Sequence, residues 1–317
     1  MSIVPSAPVP VPQRTQLPPN DPRTVLVENV QDALRALPIY FASRTAIEGL
    51  EAGDLFSLNS VLGGSIEIQT VNTLNKIRDV WDPDNAWPEY GFERTSQTFP
   101  DVRLISRSAG KPSPILGVEL KGWYLLSKEG EPSFRYTATR DACSEFDLLV
   151  VVPWHLTNVL SGTPIVYEPY IEQARYAADF RNFYWQQQRP PGSDTGIKSP
   201  SGVTPYPPPK TRIADRAVQD SGRNFGRVAR VKGLMEEYVE SALSTRISGI
   251  EARHWVGFFE TYSDAAKADQ VAEKVAKFLA RHTVSGIEEE ARQVIEHIRA
   301  AQDLLAGSSE TSEADSG

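Results

Sequence analysis

On a helical projection of about 100° per residue, Ile66, Val71, Leu74, Ile77 and Trp81 share one broad face of IEIQTVNTLNKIRDVW, while Gln69, Asn72 and Lys76 lie off it. The spacing predicts an amphipathic helix, opened by Gly64-Ser65 and stopped by Asp82-Pro83-Asp84. From Phe99 to Leu126 the pattern shortens to β-like runs, FPDVRLIS and ILGVELKGWYLL. The intervening RSAGKPSP holds a glycine and two prolines, so the two runs predict a hairpin. Asp147 to Trp154 is almost continuously apolar, as a strand covered on both faces would be. ATRDACSE ahead of it fits a short connecting helix, and Tyr170 to Gln188 reads as one long, aromatic-rich helix.

Proline and glycine divide the chain. Residues 1–22 hold seven of the 24 prolines and read as a disordered or extended arm. Residues 23–188 carry the elements above, preceded between Arg23 and Leu50 by a helix or two interrupted at Pro38. Residues 189–209 hold seven prolines and three glycines and predict a loop or linker. Residues 210–306 open with a basic segment and continue as helices, notably AKADQVAEKVAKFLARH and IEEEARQVIEHIRAAQDLL. Residues 307–317 form an acidic tail predicted to be disordered.

With 317 residues, 40% apolar and 23% charged, the chain can bury a sizeable core. Its one cysteine, Cys143, excludes an internal disulfide and the cysteine-based zinc and c-type haem classes. The longest apolar run, Leu148 to Trp154, falls far short of the ~20 residues of a membrane span, and MSIVPSAPVPVPQRTQ lacks a signal peptide's basic start and apolar core. A soluble, cytoplasmic protein is expected. The net charge of −8 is uneven, because Ser285 to Gly317 alone carries −6 and Lys210 to Lys232 carries +5. A polyanionic ligand is therefore compatible with the acidic total.

Alternate residues of a strand share a face, so Glu119 and Lys121 project together while Val118 and Leu120 point the other way, into a core. In the predicted hairpin Asp101 lies at the end away from the turn, near both. Two carboxylates and a lysine then converge, which is what a hard divalent cation and an attacking water require. The plain alternative for Glu119 and Lys121 is a salt pair on an exposed strand.

Pro100-Asp101 followed by Glu119-Leu120-Lys121 resembles the active-site motif of the PD-(D/E)xK nuclease superfamily, to which most type II restriction endonucleases belong. The order helix, strand with Pro-Asp, strand with Glu-x-Lys, short helix, strand, helix over roughly residues 60–188 is similar to that superfamily's common core. The resemblance implies an α/β fold with a restriction-endonuclease-like core, a mixed central sheet flanked by helices, and a helical C-terminal part completing a DNA cleft. It implies Asp101 and Glu119 as ligands of Mg²⁺, and Lys121 as the group that orients or helps deprotonate the attacking water and steadies the phosphate. Many members carry a further acid on the first helix. Glu67 sits where that acid would be, its other reading being an internal pair with Arg78.

The implied reaction is Mg²⁺-dependent hydrolysis of double-stranded DNA by a sequence-specific type II restriction enzyme. The alternatives are a repair or structure-specific nuclease and a non-catalytic DNA-binding or scaffold protein. In the basic segment, Lys210, Arg212, Arg216, Arg223, Asn224, Arg227 and Arg230 are the candidate DNA contacts, since arginine reads guanine and asparagine reads adenine. The competing reading is a surface loop whose arginines pair with the acidic C-terminal helices. Arg135 and Arg140 read as solvated surface more readily than as phosphate contacts, Trp123 as core, and His155 as structural. The aromatic helix around Tyr176 to Trp185, with the need to cut two strands, suggests a two-fold homodimer.

Overall fold

The computed structural model describes residues 9–261 except 44, 50–57, 96–97, 109–112, 190–193 and 209–210. Lys210, the two predicted C-terminal helices and the acidic tail therefore lie outside the described residues. Among the described residues no helix is long and apolar enough to cross a membrane.

The fold is α/β, with a mixed central sheet flanked by helices. Helix α1 (Pro22–Arg35) starts at Asp21, whose carboxylate accepts from the Arg23 amide, and proline occupies its first turn, where no amide is needed. A short turn of helix, α2 (Leu37–Tyr40), follows, with Pro38 in its first turn. Helix α3 (Leu58–Lys76) and the single turn α4 (Arg78–Trp81) come next. The predicted face is real: Ile66, Val71, Leu74, Ile77 and Trp81 are all buried. The predicted start is corrected, because α3 begins at Leu58 and runs through Gly63-Gly64. Those glycines lie where helix and sheet come close, and a Cβ on Gly122 would sit 3.5 Å from the Gly63 Cα.

Strands β1 (Tyr90–Arg94), β2 (Val102–Ser106) and β3 (Pro114–Tyr124) form an antiparallel meander that contains the predicted hairpin. Strand β4 (Leu148–Leu156) runs parallel to β3, and β5 (Pro164–Val166) and β6 (Tyr170–Gln173) pair antiparallel with different parts of β4. Every residue of β4 is buried, as predicted. Leu148, Val150 and Val152 join the core formed with α1 and α3, while Leu149 and Val151 join a second core on the opposite face.

Helix α5 (Ala174–Phe183) and a π-turn (Tyr184–Gln188) cover that second face. The single helix predicted from Tyr170 is therefore corrected. Its first turn's worth of chain instead satisfies the backbone of β4, pairing Tyr170 with Val151 and Gln173 with Leu148. Tyr170, Tyr176, Phe180 and Trp185 are buried within the chain, which removes the aromatic argument for a subunit interface. ATRDACSE contributes a short 3₁₀ turn at Arg140–Ala142.

The proline-rich segments are tied to this core. Arg14 of the N-terminal arm pairs with Glu172 at 2.7 Å, and the Thr15 backbone exchanges hydrogen bonds with the Gln173 amide. Between Ile197 and Met235 the chain forms a two-stranded ribbon, β7 (Ile197–Lys198) with β8 (Arg216–Ala217), and anchors itself through Tyr206, whose hydroxyl donates to Asp147 at 2.7 Å. Val228, Val231, Leu234 and Met235 fill the second core and Phe225 packs edge-on against Trp185, so the basic segment is tied to residues 123–185. Helix α6 (Glu236–Leu243), the short pair β9 (Arg246–Ile247) and β10 (Ile250–Glu251), and α7 (Ala252–Thr261) complete the described chain.

Candidate active site

The register of the hairpin brings the acids together. Val102 of β2 stands opposite Val118 of β3, so Asp101, just before β2, lies beside Glu119. Gly117 permits this approach, since a Cβ there would lie 2.3 Å from the Pro100 ring. Val118 and Leu120 enter the first core and Trp123 enters the second, which leaves Glu119 and Lys121 on the Trp123 face, as the strand alternation predicts.

Lys121 Nζ bridges both acids, donating to Asp101 Oδ2 and standing 2.8 Å from Glu119 Oε1. The Asp101 amide donates to Glu119 Oε2 at 3.3 Å. The side chains of Asp101, Lys121 and Glu119 are 28%, 21% and 12% exposed, so the group is desolvated yet open on one side. Burial pushes the Glu119 carboxyl up to about 7, against the pull of Lys121 and with the added push of Asp101. Burial works to neutralise Lys121, but Glu119 and Asp101 outweigh it and hold the ammonium well above its usual range.

Glu67, on α3, is raised from the usual carboxylate range by burial, opposed by Lys121 and reinforced by Asp101. It belongs to the same electrostatic cluster. Its ion partner is Arg94 at 2.9 Å and not Arg78, which is spent on Asp82 and on the Trp87 and Tyr90 carbonyls. Arg94 escaped the sequence reading because it lies on β1, where Phe92 is the one large apolar residue of the short run YGFER.

The remaining candidates separate by exposure. Arg212, Arg216 and Arg223 are exposed. Arg230 is engaged with Glu131 and with the Asn224 amide oxygen at 2.7 Å, so that oxygen is already occupied. Arg227 is half-buried. The segment reaches the site through Arg135, whose guanidinium donates to the Arg223 carbonyl, and through Tyr136, whose amide donates to the Gly226 carbonyl at 2.7 Å. Arg140 pairs with Asp179 at 2.8 Å. Trp123 is buried. His155 is buried against Tyr167, and burial pulls its imidazole down to about 4, so it is a neutral packing group at ordinary pH.

Among the described residues no group of three or more His, Cys, Asp or Glu side chains is gathered tightly enough to hold a metal ion by themselves. The donor set nevertheless suits a hard cation, since Asp101, Glu119 and Glu67 offer carboxylate oxygens and outnumber Lys121 and Arg94. Comparison with protein-family models finds no match, and comparison with curated proteins finds none either.

Proposed function

We propose that the protein is a Mg²⁺-dependent nuclease of the PD-(D/E)xK type, with a restriction-endonuclease-like fold, acting on double-stranded DNA. The observation that carries this reading is the convergence of Asp101 and Glu119 on Lys121, with Glu67 close enough to feel Lys121 and Asp101. Asp101 and Glu119 would hold the ion through carboxylate oxygens, with Glu67 behind them. A bound Mg²⁺ supplies charge neutralisation at the phosphate and a more acidic water. Lys121, kept protonated by its two acids, would orient the attacking water or steady a phosphate oxygen through its ammonium hydrogens. Arg212, Arg216 and Arg223, exposed on the segment that leads to the site, steer and hold the DNA backbone.

Within this class a sequence-specific type II restriction enzyme is the favoured assignment, and a two-fold pair of subunits would break both strands of a palindromic site. That pairing rests on the two-strand requirement alone. One observation favours a second reading. Lys121 already satisfies both carboxylates, as a structural ion triad in a non-catalytic DNA-binding protein would. Plasmid incubated with the protein and Mg²⁺ decides between them: discrete fragments fit restriction, nicks or smears fit a repair nuclease, and intact plasmid fits the structural triad.

A further inference from the structure

Arg94 is the second cation of the carboxylate cluster, and strand register sets its place. It closes β1 opposite Val102 of β2, which in turn stands opposite Val118 of β3. One residue further on, the Thr95 amide donates to the Asp101 carbonyl at 2.8 Å. Arg94, Asp101 and Glu119 are thus brought to one end of three adjacent strands. Phe92, two residues before Arg94, is buried in the core shared with α3. Alternation turns Arg94 to the same side, where Glu67 Oε2 accepts from it at 2.9 Å.

This bond is unlike those of several other arginines in the fold. Arg181 and Arg78 each spend donors on two backbone carbonyls, and Arg14 grips Glu172 through both Nε and a terminal nitrogen. Among the described residues Arg94 makes one hydrogen bond, through one terminal nitrogen, of the five N–H groups a guanidinium offers. Its side chain is 38% exposed, more than that of Asp101, Lys121, Glu67 or Glu119. A one-pronged pair at the solvent edge is weak, and a planar fork with donors to spare suits a phosphate. We infer that Arg94 is a DNA phosphate-binding residue of this site, held back by Glu67 until the charge on that carboxylate is taken up by another partner. The inference rests on reading the cluster as a phosphodiester site. Under that reading Arg94 is released in step with cation loading, so the grip on DNA tightens only in a site ready to cut.

The test is the salt dependence of binding of the full chain to a fluorescein-labelled, mixed-sequence DNA duplex, first in chelator. Glu67→Gln replaces the carboxylate by a neutral amide and so releases Arg94 without any cation. In the wild-type background Arg94→Ala should leave the slope of log affinity against log salt unchanged. In the Glu67→Gln background it should flatten that slope by ~0.9, the worth of one phosphate contact, and Arg94→Lys should keep the full slope. Comparing backgrounds cancels the repulsion that Glu67 itself exerts on DNA. If Arg94→Ala does not melt cooperatively, Arg94→Gln replaces it with the same expectations. Equal flattening in both backgrounds, flattening in neither, or an Arg94→Lys slope as flat as that of alanine overturns the inference. Wild type and Arg94→Ala are then compared in Ca²⁺, where the ~0.9 difference should appear without Glu67→Gln. If the chelator series behaves as expected and Ca²⁺ changes nothing, Arg94 stands and the cation-dependent reading of the site falls.

Discussion

Among the described residues, two of the desolvated ion clusters are of opposite character. Arg181 and Asp215 are 1% and 0% exposed and 2.5 Å apart, one charge against one. Arg181 also donates to the Tyr136 and Ala138 carbonyls, and Asn182 donates to Asp215 at 2.9 Å. That pair is closed, and its work is to fasten α5 to the basic segment. The cluster of Asp101, Glu119 and Lys121 has two acids on one ammonium, remains open to solvent, and adds Glu67 with its partner Arg94. Burial alone does not mark a functional charge. Unequal charge with an open side is the arrangement that gains from an incoming cation, and on it the proposed function rests.

The sharpest way to break this contrast is Lys121→Ala. If the open cluster hydrolyses phosphodiesters, cleavage should fall by on the order of 10²–10⁴, while thermal stability and DNA affinity change little. Near wild-type cleavage of plasmid by the purified variant would place the triad in the same structural class as Arg181 and Asp215. The closed pair should behave in the opposite way. Arg181→Met leaves a buried carboxylate uncompensated and is expected to cost about 3–5 kcal/mol in urea unfolding. Arg181→Met with Asp215→Leu should recover most of that loss, since a buried pair is often replaceable by apolar residues. A single variant as stable as wild type would mean the pair contributes nothing to holding the basic segment.

Much of the open cluster was legible in the sequence because strand alternation and hairpin register are local rules. They place Glu119 and Lys121 on one face and Asp101 beside them without reference to the rest of the fold. Glu67 was legible as an acid on an apolar face, but its partner was not, because Arg94 comes from a strand too short to show alternation. The closed cluster was invisible for another reason: residues 181 and 215 are joined only by tertiary packing. Tyr170 to Gln173 was misread because local helical composition gave way to pairing with β4. The basic segment was read as a separate part because its net charge hid Val228 and Val231, which bind it to the core.

A pH measurement sharpens the contrast further. Burial holds the Glu119 carboxyl at about 7, above the free value of 4.5, so in the folded chain it stays protonated up to about 7, and its cost to stability grows as pH rises from 4.5 to 7 and is constant above that. A divalent cation must displace that proton. Mn²⁺ or Mg²⁺ affinity of the full chain, followed by calorimetry, should therefore fall by up to roughly tenfold per pH unit below about 7 and level off above it. Glu119→Gln should bind more weakly and lose most of the pH dependence. A flat profile in the wild type would remove Glu119 from the ligand set.

The smallest expected effect lies in the basic segment, where exposure separates two arginines that sequence treats alike. Arg223 is exposed beside Arg135, whereas Arg227 is half-buried and its Nε is enclosed with no hydrogen-bond partner. A phosphate contact contributes about 0.9 to the slope of log affinity against log salt on duplex DNA. Arg223→Ala should therefore flatten that slope by ~0.9 with stability unchanged, and Arg227→Ala should shift stability more than slope. Equal flattening by both would mean that the segment opens on DNA and exposes Arg227. No change from Arg223 would move the DNA contact to Arg212 and Arg216, where the same titration can be repeated on Arg212→Ala and Arg216→Ala.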